Sequence, residues 1–436
     1  MRSWKSTLVL LLVLAGLVGY IYYGNPGDST DDRDQAFAGI EAGDIAEIEI
    51  RNADGARSLV RKTGGGTWNI VEPVQAVADE NELTSITGSL ASLDIQRVVD
   101  ENATDLKQYG LDPARIEVAF RKEGDEQPQR ILLGDKTPTG GDMYARMPDR
   151  PRVFLVSSFL DSTFNKDTFA LRDKDVLDVD REKVDRVEIA AGERSVTLAK
   201  SGTDWRIDAP IMARADFAAV EGALERLSSA RMQGIVEPQA GDLKKYRLEP
   251  PIASFTALTG SAKATLLLGE TENALIYAKD ASRPMVFTVA PTLYTDLIRD
   301  LADFRRKDLF DARSFTATRI ELRRGATTTV LEKGKTADGK EGWKTADGMD
   351  VDTAKADDLL TKVTGLRAES FTASAPAALG NPELTVVVRF DDSKMEEVSF
   401  ARDGSDVVAR RADEPGAARL AATGYEDALT SLDALK

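Results

Sequence analysis

The chain has 436 residues, 57 Lys+Arg against 73 Asp+Glu, and a formal net charge of -16; 42% of it is apolar and 30% charged. That describes a folded chain with length for several domains, and one too acidic for a nucleic-acid partner, whose binding rests on Lys and Arg neutralising phosphates. There is no His and no Cys, which excludes Ser-His-Asp and Cys-His catalysis, disulfides, haem and Fe–S ligation, and His/Cys zinc sites.

Arg2 and Lys5 precede an uncharged apolar run from Thr7 to Tyr23, 17 residues long. At 1.5 Å per residue the run just reaches across a ~30 Å hydrocarbon core, with Trp4 and the Tyr20/Tyr22/Tyr23 group at interfacial depth. A cleaved signal peptide begins in the same way. The aromatic end and the lack of an A-x-A-like site after the run favour an uncleaved anchor. Basic residues before the run and Asp28, Asp31 and Asp32 after it orient the bulk outward. The expectation is an N-terminal transmembrane helix within residues 1–23, a linker over 24–44, and the remainder outside the cytoplasm.

Beyond the linker the chain repeats itself. Trp68, Trp205 and Trp343 are separated by 137 and 138 residues. TWNIVEP answers DWRIDAP, YGLDP (Tyr109–Pro113) answers YRLEP (Tyr246–Pro250), and ILLGD (Ile131–Asp135) answers LLLGE (Leu266–Glu270). MYAR answers IYAK, VFLV answers VFTV, and LRDKDVLD (Leu171–Asp178) answers FRRKDLFD (Phe304–Asp311). A third, divergent copy keeps RIEL (Arg319–Leu322), GWKT around Trp343, LGNP (Leu379–Pro382) and VVARRADEP from Val407. Colinear matches of this kind mark tandem units, here 45–183, 184–317 and 318–436.

Each unit opens with two short alternating strands and a Gly-bearing turn into the Trp strand (Ile45–Arg51 and Ser58–Lys62 in the first), as hairpins do. Helices are expected from Asp79 to Leu93, Asp216 to Leu227 and Asp352 to Val363. The first opens on a capping-box-like Asp79-x-x-Glu82, with Leu83, Ile86, Leu90 and Leu93 at helical spacing. A strand (Ile95–Val99; Arg231–Val236), a short turn of helix ending at YGL or YRL, further strands and a closing helix such as Pro291–Phe304 complete the unit. The class is α+β: an N-terminal transmembrane helix, then three tandem homologous mixed α/β units with mainly antiparallel sheets.

The retained phrases carry structure more readily than chemistry. A buried Trp, a Tyr-Gly-Leu helix end and a proline-fixed strand start suit a core. The connector phrase R-x-K-D (Arg172, Lys174, Asp175; Arg305, Lys307, Asp308) suits ion pairs across a junction. The paired acids Asp178/Asp180, Asp350/Asp352 and Asp357/Asp358 do not match the calcium-loop pattern. Gly64–Gly66 and Gly140–Gly141 precede no Lys-Ser/Thr pair and open no helix, so no phosphate loop is indicated. No catalytic, cofactor-binding or metal-ligating residue is singled out, and no enzyme activity is expected.

With the phrases W-x-I-x-x-P, YGL-x-P, LLLG, YA-x and VF-x-V in that order, residues 45–317 resemble tandem copies of the bacterial domain-of-unknown-function 4340 family. Unit three shows the resemblance more weakly. The resemblance implies an exported, membrane-anchored protein without assigned chemistry, associated with auxiliary components of ABC-type envelope transporters such as those linked to gliding motility. The expected role is therefore a non-catalytic periplasmic scaffold or auxiliary subunit at the inner membrane, with envelope membrane proteins as partners. An envelope enzyme using Asp/Glu chemistry and a glycan-binding module are the alternatives; a cleft with two convergent carboxylates, or an apolar groove without them, would separate these readings.

Overall fold

A computed structural model describes residues 34–391 and 394–435. The expected membrane-spanning run and residues 24–33 of the linker lie outside the described residues. Residues 34–44, expected as linker, instead belong to the first repeat: Asp34–Gln35 pairs with Asp94–Ile95, and Ala36, Phe37 and Ile40 are buried in its core. Among those described, no helix is long and apolar enough to cross a membrane.

Three nine-stranded antiparallel sheets follow one another along the chain, each with the same strand order. In the first, the strand Ile45–Arg51 sits between Arg57–Lys62 and Ile116–Lys122. The sheet continues on one side through the Trp strand, Trp68–Glu72, to Ala76–Val77, and on the other through Gln129–Lys136, Asp142–Arg146 and Val153–Ser157 to Arg97–Asp100. The second sheet is centred on Arg186–Ala191 and Ala253–Thr259, and the third on Ala317–Arg324 and Leu384–Phe390. The expected α+β class with mainly antiparallel sheets in tandem units is what the structure has. The chain divides into two compact units, one up to Lys174 with the first sheet and one from Asp175 with the second and third.

Each sheet buries one face under a helix: α1 (Glu80–Ala91), with α2 (Phe159–Phe164) beside it, on the first sheet. On the second these are α3 (Phe217–Ser229), α4 (Pro291–Leu297) and α5 (Leu301–Phe304). On the third they are α6 (Thr353–Thr364) and α7 (Ala422–Asp433). The single closing helix expected over Pro291–Phe304 is two, divided at Ile298–Asp300. The strand expected over Ile95–Val99 is likewise two short pieces, Asp94–Ile95 and Arg97–Asp100.

Asp79, Asp216 and Asp352 cap the three principal helices, accepting from Asn81 N (3.0 Å), Ala219 N (2.9 Å) and Ala354 N (3.0 Å). The reciprocal half of a capping box is not formed in the first. The Asp79 N–H is already taken by the Leu171 carbonyl (2.9 Å), so Glu82 pairs with Lys166 instead (2.7 Å).

Trp68, Trp205 and Trp343 are 4%, 1% and 1% exposed, at equivalent positions in their sheets. Each stands opposite a lysine of the preceding strand, Lys62, Lys200 or Lys333. Directly paired residues share a face of the sheet, so the ammonium lies over the indole ring, 5.7, 5.5 and 5.3 Å from its centre. Such a contact contributes about 0.5–2 kcal/mol.

On the other face, the Tyr-Gly-Leu and Tyr-Arg-Leu turns press their tyrosine carbonyls onto Gly134 and Gly269, where a Cβ would overlap the Tyr109 or Tyr246 oxygen. That contact requires the glycine of the LLLG phrase. The prolines of both repeated phrases, Pro73, Pro113, Pro210 and Pro250, follow cis peptide bonds.

Candidate functional site

The R-x-K-D connectors are strands in all but length. Asp173 N donates to Val77 O (3.0 Å) and Asp79 N to Leu171 O (2.9 Å), which zips the first connector onto the last strand of its own sheet. The second repeats this with Arg306 N to Arg214 O (3.0 Å) and Asp216 N to Phe304 O (2.7 Å). It then pairs forward into the third repeat: Ala368 N donates to Lys307 O (2.8 Å) and Leu309 N to Leu366 O (3.1 Å). Asp308 pairs with Arg367 (3.0 Å) and Arg313 (2.9 Å).

Around this strand the second and third repeats exchange charge. Arg305 donates to the Glu414 carboxylate (2.9 Å) and to Pro415 O (3.0 Å), and its guanidinium stacks on Phe371, 4.1 Å from the ring centre. Arg214 donates to Glu414 (2.7 Å), Asp311 (2.7 Å) and Asp308 O (2.7 Å). Arg411 is bidentate on Asp413 (2.9 Å to each oxygen) and also holds Glu396 (2.9 Å), which accepts from Asp311 N and Ala312 N. Arg306 pairs with Asp311 (2.8 Å).

Four arginines thus face four carboxylates, and Arg305, Arg411, Glu396 and Glu414 are nearly inaccessible to solvent. Burial pushes the Asp311 carboxyl up, but Arg214 and Arg306 outweigh it and hold it below the usual range. Asp413, raised by burial, is pulled down in the same way by Arg411.

Beside the network runs a groove of about 510 Å³, walled mainly by apolar groups: Val196, Pro210, Ile211, Leu301, Phe371 and Pro415. Of its two carboxylates, Asp300 is committed to the α5 cap and to Arg194, while Glu193 stands in the exposed turn before the strand Arg194–Ser201. A second, polar cleft of about 770 Å³ lies in the first unit, where Glu47 is clamped by Arg61 and Arg121. Burial raises that carboxyl and the two guanidiniums lower it further, to a net position below the ordinary glutamate range.

The paired acids are not brought together. Asp180 caps the turn at Arg181–Lys183 and pairs with Lys183 (2.7 Å). Asp350 pairs with Lys344 (3.4 Å), Asp352 caps α6, Asp357 accepts from the Trp343 indole (2.9 Å), and Asp358 accepts from Ser431 (2.7 Å). Among the described residues no three such donors converge as a metal site.

The connector arginine Arg305 was legible in the sequence as a junction residue; its partners Glu414 and Phe371 and its neighbour Arg214 were not. Arg214 occupies the place of Val77 and Asp350, so comparing the copies hides it. The lysines over the tryptophans carried a signal: each is the residue at which the strand before the Trp hairpin pairs with the indole position.

The model of the family described as "Domain of unknown function (DUF4340)" matches residues 68–207 and 205–382. Both stretches begin on a Trp strand, whereas each folded sheet begins two strands earlier. No curated protein matches. Among solved structures, a DNA polymerase sliding clamp from Pseudomonas aeruginosa with ligand is 10% identical, covering 87% of this chain and 92% of its own, at a TM-score of 0.16. The DNA polymerase III subunit beta from the same organism is 9% identical, with coverages of 89% and 94% and a TM-score of 0.17. At such scores the likeness carries no argument about fold or partner.

Proposed function

The chain belongs to the DUF4340 family, and from that premise together with the second-to-third repeat junction we propose that it acts by binding, as a non-catalytic, membrane-anchored envelope scaffold or transporter auxiliary. The observation that carries the reading is the groove beside the junction, mainly apolar, with one of its two carboxylates already engaged. Apolar walls with a few fixed polar groups suit recognition of a partner's side chains. Hydrolysis of a glycosidic bond calls for two carboxylates flanking that bond, and Asp300 is held away from such use by its cap and by Arg194.

In this reading residues 7–23 fix the chain in the inner membrane, the folded repeats stand in the periplasm, and the partner is an envelope membrane protein, an ABC-type transporter above all. Crosslinking and pull-down from membranes with residues 1–33 intact tests it. A defined membrane protein is expected to co-purify, and to be lost with Ile211→Glu while the melting temperature holds. Turnover of a glycan or peptide by the folded part, with no membrane protein recovered, would overturn the reading in favour of an enzyme.

A further inference from the structure

The third repeat has the strand edge on which the other two seat their connectors, and nothing among the described residues occupies it. In the first repeat Ala78 N turns inward to Trp68 O (3.0 Å), so the flanking Val77 carbonyl and Asp79 N–H turn outward and bind Asp173 and Leu171. In the second, Ala215 N bonds Trp205 O (3.1 Å), and the Arg214 carbonyl and Asp216 N–H bind Arg306 and Phe304. In the third, Val351 pairs in register with Trp343, which gives Asp350 and Asp352 the outward role. The Asp352 N–H has no backbone partner among the described residues. Exposure follows: Ala78 and Ala215 are 1% and 4% exposed, whereas Val351 is half-buried and Asp350 and Asp352 are open to solvent.

We propose that the Asp350–Asp352 edge receives an extended, basic segment of a partner protein by strand addition, an apolar residue followed by Arg or Lys, as the chain's own connectors do. This names the mode of contact for the binding role proposed above and rests on it. Two observations fix the occupant's chemistry. The equivalent edges are filled by Leu-Arg-Asp-Lys (171–174) and Phe-Arg-Arg-Lys (304–307), and in the first Lys174 Nζ lies 3.5 Å from the capping Asp79 carboxylate. The open edge is also acidic. Asp350 binds Ala337 N (2.7 Å), which draws the Thr336–Gly339 turn and Asp338 alongside, and Asp347 stands in the Thr345–Met349 turn that leads into the edge, against Lys340 and Lys344. An unpaired edge supplies main-chain hydrogen bonds, and flanking side chains supply selectivity.

The test uses the full chain and a labelled peptide with the sequence of residues 303–310, read by fluorescence anisotropy and hydrogen exchange. Saturable binding is expected, with exchange at the Asp352 amide slowed about tenfold at a peptide concentration about ten times Kd. Asp347→Lys, a change at an exposed turn position, should weaken binding about fivefold without altering the melting temperature. A peptide with its three basic residues replaced by Glu should not bind. Absence of saturable binding, or protection at a different edge, overturns the proposal. If a membrane protein still co-purifies in that case, the binding role stands and only this edge is eliminated as its route.

Discussion

The second and third repeats share strand order, Trp anchor and helix cap, yet treat their opposite faces differently. In the second, Tyr246 and Tyr277 pack at 4.8 Å, the Tyr246 hydroxyl donates to Glu237 (2.8 Å), and the turn carbonyl presses on Gly269. The first repeat has the same tyrosine pair, Tyr109 and Tyr144, at 5.0 Å. In the third, Leu379 stands with Ala401, Val408 and Ala417 in a small aliphatic cluster. Tyrosine, glycine and cis-proline are lost together, while Trp343, Lys333 and Asp352 persist. The phrases are therefore two separate sets: the Trp–Lys–helix side is what the sheet needs to fold, and the Tyr–Gly side is one interchangeable way of sealing the other face.

The division is broken most directly at the tryptophans. Trp205→Ala and Trp343→Ala should each cost about 3–5 kcal/mol, since both side chains are almost fully buried. A cost in one repeat only, measured by urea unfolding, would dissolve the equivalence. The next test is Gly269→Ala, expected to destabilise by about 1–3 kcal/mol through collision with the Tyr246 carbonyl. At the position answering it, Ala401→Gly should cost about 1 kcal/mol or less; equal penalties would mean that the two faces are sealed alike.

Acid should then separate the junction from both faces. Asp311 and Asp413 are held below the usual aspartate range. Their stabilisation is therefore complete above the unfolded value of about 3.9 and is lost as pH falls through the lower folded values. The melting temperature should decline below about pH 4, and Asp311→Asn should flatten that decline. The smallest effect is at Arg247, whose φ of 55° lies where the first repeat has Gly110. Arg247→Gly should raise stability by about 0.5–1 kcal/mol by relieving the left-handed backbone, read as a small rise in melting temperature.

Much of this was legible because the chain states it more than once. Three helices start within a residue or two of where their capping aspartates stand, and the Trp positions follow from their spacing. The cis bonds were not legible, since an X-Pro step looks alike in either isomer until the turn around it is known. Nor was the junction: Glu414 comes from a hairpin more than a hundred residues beyond Arg305, in a loop whose counterparts in the other copies hold no matching acid. Long-range ion pairs leave no periodicity to read.

The connector has one more consequence, for proteases. Arg305, Arg306 and Lys307 are three successive trypsin sites in the segment joining two repeats, where nicking is ordinarily fastest. Yet Phe304, Arg306, Lys307 and Leu309 all have backbone groups bonded to one repeat or the other, and the Arg305 side chain is sealed under Phe371 and Glu414. A protease must draw its substrate out as a free strand, so cleavage here waits on the parting of the two repeats. The rate of cutting in this segment, compared with cuts at the exposed turn around Lys340, becomes a clock for how often the joint opens.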